Sequence, residues 1–105
     1  MQEEAVGILE VYGVVTAFMA ADAGCKAGRV WLEPFDKNKP ANAEQLPVPL
    51  LVTVKFRGTV SDVEAAMAAA TGVAESMTGI FQKHIIPRPT SDTEKMLKIN
   101  CFDKN

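Results

Sequence analysis

The chain has 105 residues, 48% hydrophobic and 23% charged, with a formal net charge of −2 and a sequence pI near 5.3. That length fits one domain able to bury roughly two thirds of its unfolded surface, and no apolar run approaches the roughly 20 residues of a membrane span. The charge balance argues against nucleic acid as a partner, because attraction to phosphates needs a basic surface.

Ala5 to Val11 reads as a strand, with Val6 and Ile8 on one face and Leu9 and Val11 on the other, and Gly7 suggests a close backbone neighbour. After a turn at Tyr12-Gly13, Val14 to Ala27 has helical spacing, with Val14, Phe18, Ala21 and Cys25 as its apolar stripe. Most of its remaining residues are small, Ala17, Ala20, Ala23 and Gly24 among them, and would let a neighbour approach closely. Asp22 and Lys26 stand four apart with the acid first, the favourable order for a helical ion pair. Arg29 to Phe35 is a second strand, with Pro34 marking an edge or an ending. Asp36 to Pro49 is a loop too long for a tight hairpin. Leu50 to Arg57 alternates most clearly: Leu50, Val52, Val54 and Phe56 face in, while Leu51, Thr53, Lys55 and Arg57 face water or a partner.

Ser61 and Glu64 form a capping box that opens a second helix running to about Met77. Its core stripe is Val63, Ala66, Met67, Ala70, Val73 and Met77, and Gly79 suits a left-handed residue past its end. The last strand, Ile80 to Ile86, stops at Pro87-Arg88-Pro89, which lacks two backbone donors and holds Arg88 on a stiff, extended stub. Asp92 to Leu97 is compatible with one helical turn, and Lys98 to Asn105 is a tail.

Two βαβ halves follow one another. Right-handed crossovers then place both helices on one face of a four-stranded antiparallel sheet, the ferredoxin-like βαββαβ form of the α+β class. The domain spans residues 1–90, with 91–105 as a C-terminal tail. The sheet's other face carries Glu10, Trp31, Glu33, Lys55, Arg57 and Lys83 or His84, a half-open surface of mixed charge. His84, the single histidine, has no carboxylate, Ser or Cys placed beside it as an orienter or nucleophile, so the sequence assigns no catalytic residue and reads as a non-enzyme. Cys25 and Cys101 form no CxxC and have no His or Cys neighbour at ligand spacing, which points to two reduced cytoplasmic thiols and to no metal or cofactor. A phosphate-cradling Gly-rich loop and the stacking aromatics of an RNA-binding sheet are both missing from the sequence. A ligand-binding regulatory module similar to the ACT domains stays open as the alternative.

Three separated motifs carry a more specific signal. Glu4 to Glu10 (EAVGILE), Ala20 to Val30 (AADAGCKAGRV) and His84 to Pro89 (HIIPRP) resemble the single-domain shell proteins of bacterial microcompartments, over Glu4 to about Asp92. The resemblance implies a structural protein whose partners are copies of itself in a homohexameric tile, other shell proteins of the same compartment, and the enzymes enclosed. It also implies a cytoplasmic location in the shell, with no membrane partner. By the same resemblance Lys26, supported by Asp22, and Arg88 join neighbouring tiles, with Arg88 reaching backbone carbonyls. The family's loop between the second and third strands is short and lines a central pore for small metabolites. Here it is longer and lacks glycine, so Lys37, Asn38, Lys39, Glu44, Leu46, Pro47, Val48 and Pro49 either line that pore or block it. Around an axis, Lys37, Lys39 and Glu44 would form rings of charge, and Leu46 and Val48 an apolar constriction. The loop holds no cysteine to carry an iron-sulfur cluster.

Overall fold

In a computed structural model that describes residues 4–39, 41–46 and 48–99, the chain forms β1 (Ala5–Tyr12), α1 (Val14–Ala27), β2 (Trp31–Asn38), a 3-10 turn (Ala43–Gln45), β3 (Leu51–Gly58), α2 (Val60–Glu75), β4 (Ile80–Ile86) and α3 (Ser91–Leu97). Cys101, Pro47 and the end of the expected tail lie outside the described residues. The strands lie in the order β2-β3-β1-β4, and every neighbouring pair is antiparallel. This is the ferredoxin-like arrangement that the two βαβ halves predict. α1 and α2 pack on each other and on one face of the sheet, α1 nearer β3 and α2 nearer β1 and β4.

The helix layer is set by small residues. α1 buries Thr16, Ala17, Ala20, Ala21 and Gly24, whereas Phe18 is 62% exposed and Cys25 is exposed. The expected stripe of Val14, Phe18, Ala21 and Cys25 is therefore rotated: Ala21 keeps its place, and the small face takes the inside. The reason is space, since a Cβ on Gly24 would sit 2.5 Å from the Phe56 ring and 3.2 Å from the Ala66 carbonyl oxygen of α2. Gly7 has the same function on β1, where a Cβ would meet Met67 and Val63 of α2 at 2.7 and 2.8 Å. Its close neighbour is thus a helix side-chain pair and not backbone.

α2 buries Val63, Ala66, Met67, Ala70 and Ala74. Ala74 replaces the expected Met77, which is 43% exposed, and the helix ends at Glu75. Its cap is Thr59, two residues before the expected Ser61: the Thr59 hydroxyl accepts from the Asp62 amide at 3.2 Å and donates to the Asp62 carboxylate at 2.9 Å. That carboxylate also accepts from the Arg29 amide at 3.2 Å, a bond across 33 residues that favours this register over the local capping box. Gly79 has φ +101° and donates to the Ala74 carbonyl at 2.8 Å, closing the helix as its glycine suggests.

β2 runs three residues past the expected end at Phe35. Pro34 sits where the β2–β3 register shifts, between Glu33 and Asp36, so its missing N–H is absorbed by an irregularity and pairing resumes through Lys37–Val52 and Asn38–Leu51. The connecting loop consequently starts after Asn38 and not at Asp36.

Gly24→Ala sets helix propensity, a gain of about 1 kcal/mol, against overpacking of a core ring, a cost of about 1–3 kcal/mol. Phe56 is fully buried and the Ala66 carbonyl cannot move aside, so we expect net destabilisation by about 1 kcal/mol or more in urea unfolding.

Candidate assembly surfaces

The predicted site residues divide between the two ends of α1. At its C-terminal end, Lys26 Nζ lies 2.8 Å from Asp22 Oδ2, with both side chains well exposed, and the carboxylate's hydrogen bond and charge raise the lysine pKa. Burial, followed by the Asp22 charge, pushes the Cys25 thiol above its ordinary value, which keeps it protonated. Beyond Lys26, a Cβ on Gly28 would fall 2.4 Å from the Asp62 carbonyl oxygen, so this end of α1 is clamped against the start of α2. The start of α2 is also where Arg88 emerges: exposed after β4, it lines an open depression with Val60, Ile86 and Pro87. The structure thus brings the Lys26 and Arg88 regions to the same end of the molecule.

The long loop lies at the other end, about 20 Å away along the 14 residues of α1 at 1.5 Å per residue. Lys37 and Asn38 belong to β2, not to the loop. Lys39, Glu44 and Pro49 are exposed, and Leu46 and Val48 are half-buried. Val48 packs near Gly13 at the start of α1, and the Gly13 amide donates to the Leu50 carbonyl at 2.9 Å. Thr78 braces the same end by donating to the Tyr12 carbonyl at 2.7 Å.

The two flanks differ from each other. On the β2 side, α1 exposes Val15, Phe18 and Met19, and the Phe18 ring meets Phe35 of β2 at 5.3 Å between centroids. On the β4 side, a groove of about 400 Å³ runs between α2 and β4, floored by Met67, Ala68, Thr71 and Ile85 and rimmed by Glu64, Lys83 and His84. The Thr71 hydroxyl faces no hydrogen-bond partner among the described residues. β2 and β4 are the outer strands of the sheet, so each flank also presents a strand edge.

The remaining sheet face is covered in part: Glu33, Lys55 and Arg57 of the expected half-open surface are buried, whereas Trp31, Lys83 and His84 stay exposed. α3 lies over Lys55 and Arg57, leaving them 4% and 2% exposed. The Arg57 guanidinium donates from Nη2 to Glu94 Oε2 at 2.6 Å and from Nη1 to Glu94 Oε1 at 2.8 Å, a two-pronged pairing. Nη1 also reaches Glu33 Oε2 at 3.2 Å, and Nε donates to the Ala5 carbonyl at 3.2 Å. Lys98 binds the same Glu33 oxygen at 2.8 Å, and Lys55 Nζ donates to the Leu97 and Ile99 carbonyls at 3.0 Å each. The hydrogen bonds from Arg57 hold the Glu94 carboxyl below its ordinary range. The sequence reading missed Glu94 and its partnership with Arg57. Alternation alone put Arg57 on the outer face, and only the chain's return after Pro89, which sets Glu94 on the guanidinium, shows what covers it.

A small α+β domain with two unlike apolar flanks, a cationic end and a loop-bearing end is a building block for assembly. Residues 5–89 match the model of the BMC domain family, and the chain belongs to that family. It is 38% identical to the bacterial microcompartment shell protein PduA of Citrobacter freundii, covering 92% of this chain and 95% of that one. It is 37% identical to the carboxysome shell protein CcmK2 of Thermosynechococcus vestitus (90% of this chain, 86% of that one). With the shell protein EutM of Salmonella typhimurium it shares 33% identity over 92% of each chain. A crystal structure of a microcompartment protein from Desulfitobacterium hafniense superposes with TM-score 0.69 at 23% identity, over 92% of this chain. The chain spans about half the length of that protein, 48%, and the likeness concerns the fold.

Removing Arg57 leaves the buried carboxylate of Glu33 with Lys98 as its one charged partner among the described residues, and breaking a buried pair typically costs about 3–5 kcal/mol. Arg57→Met should therefore lower the unfolding free energy by about 3 kcal/mol, and adding Glu33→Leu should recover part of it. For Glu94 the folded pKa lies below the unfolded one, so its contribution is complete above the ordinary glutamate value of about 4.3. That contribution disappears as pH falls through the lowered value. Denaturant titrations from pH 7 to 3 should accordingly show a smaller acid loss in Glu94→Gln than in the unmodified chain.

Proposed function

We propose that this shell protein is a ring-forming tile, hexameric in its working state, and that it carries out no catalytic step of its own. The observation that carries the reading is the inequality of its flanks. A patch of Val15, Phe18 and Met19 on one side and a groove floored by Met67, Thr71 and Ile85 on the other are different surfaces. Contact between them is heterologous and head-to-tail, and such contacts close into rings when the rotation allows. The groove would take the neighbour's α1 flank. Apolar association of this kind also accounts for three large hydrophobic side chains on one short helix face.

In such a ring the two ends of α1 take different duties. The family's shell role, in a cytoplasmic compartment, suits the Lys26 and Arg88 end as the outer edge that meets other tiles and sister shell proteins. Arg88 on its Pro-flanked stub offers five donors in a planar fork, a good match for the carbonyls of an adjoining tile. The opposite end then surrounds the axis. There Lys37, Asn38, Lys39 and Glu44 are exposed, while Leu46 and Val48 are half-buried against their own chain. This favours a charged rim over an apolar constriction for the passage of small metabolites.

Native mass spectrometry in moderate salt tests the ring, with 11.3 kDa as the unit. A dominant species at six units is expected, and a monomer or dimer at every concentration would instead favour a regulatory module of the same fold. Phe18→Glu should yield monomers with unchanged far-UV circular dichroism, because Phe18 is largely exposed within one chain. Truncating a central interface arginine commonly costs about 2 kcal/mol or more. Arg88→Ala should hence keep the ring and lose extended sheets in electron micrographs, and loss of the ring itself would contradict the division of ends.

A further inference from the structure

We propose that α3 is a strap, held to the sheet by charge and able to lift off as a unit while the βαββαβ body stays folded. Three observations support this. First, the apolar share of its docking is slight: Leu97 is buried, but Met96 and Ile99 are 67% and 55% exposed. Among the described residues its polar attachment includes Glu94 on Arg57, Lys98 on Glu33, and the Leu97 and Ile99 carbonyls on Lys55. Second, the seat does not need the strap. Without Glu94, Arg57 retains Glu33 and the Ala5 and Glu4 carbonyls, all outside α3, so no buried charge is stranded. Third, the strap carries its own start, since the Thr90 hydroxyl accepts from the Thr93 amide at 3.3 Å, and Pro87 and Pro89 stiffen the connection before it.

Release would uncover Lys55 and Arg57 beside Trp31, which pairs with Arg57 in the ladder. The covered face would become a cationic one with an aromatic margin. The charged groups that face Glu94 are Arg57 from β3, Glu33 of β2 beyond it, and Lys98 just past α3. Glu94 and Lys98 are partly solvent-exposed, 37% and 62%, so ionic strength reaches the attachment from outside. The contacts lie within one chain, so lifting of the strap does not require the ring.

The test is hydrogen–deuterium exchange on the full-length protein at pH 7, comparing amides 91–99 with α2 as internal reference, in about 0.05 M and about 1 M NaCl. Screening shortens from well over 10 Å to about 3 Å across that range. Glu94→Gln replaces charge-assisted bonds with neutral ones and should speed exchange at 91–99 by about tenfold, leaving α2 unchanged. High salt should move the unmodified chain towards the variant and barely affect the variant. Asp92→Asn, whose carboxylate is 91% exposed and 4.0 Å from Lys95, should change exchange less than about twofold. Unaltered protection in Glu94→Gln, an equal effect of Asp92→Asn, or joint loss of protection in α2 would each overturn the proposal.

Discussion

The close approach of α1 to Phe56 and α2 governs the rest of the molecule. Only a hydrogen fits at Gly24, and alanines fill most of the positions around it, so the helix layer is thin and lies close to the sheet. A helix that must present its small face inward has its large side chains left over. Val15, Phe18 and Met19 consequently point out. The constraint that packs the core thereby leaves an apolar flank on the outside, and the buried and exposed faces of α1 are two sides of one residue pattern.

The opposite face of the sheet is organised by charge. Its cations sit on a central strand, where a short chain return can cover them only by supplying carboxylates and helix-end carbonyls. α3 supplies both within a single segment of seven residues followed by Lys98 and Ile99. Such a helix is too short to hold its shape unaided, so its order depends on its own cap and on the seat beneath it. The body is thus closed on one side by apolar contact that tolerates no added methyl group, and on the other by ion pairs that respond to solvent.

Length does the remaining work. α1 and the strands beneath it separate a loop-bearing end from an end carrying Lys26 and Arg88, and Gly28 and Val60 fix that second end by tying α1 and β4 to the start of α2. A domain of this shape can put an axial function and an edge function on one chain without either disturbing the other. The long loop is compatible with this because it is pinned at Gly13, Val48 and Leu50 to the helix start, far from Lys26 and Arg88.

Local patterns in the sequence determined much of this. Alternation gave β1, β3 and β4; the order of elements gave the ferredoxin-like topology; Asp22–Lys26 was legible because the partners are near in sequence, and the end of β4 at Ile86 because Pro87 follows it. What failed did so where distant residues decide. Periodicity found a helix at Val14 to Ala27 but chose the bulkier face as buried, because the ring that excludes bulk belongs to Phe56. Ser61 had a sound local box, yet Thr59 caps α2, since Asp62 also serves Arg29 across 33 residues. Arg57 looked solvent-facing by alternation and is buried by Glu94, 37 residues later. Sequence fixes which face a side chain shares with its neighbours, because that follows from backbone geometry alone. Tertiary structure decides what covers that face, because burial depends on where the rest of the chain returns.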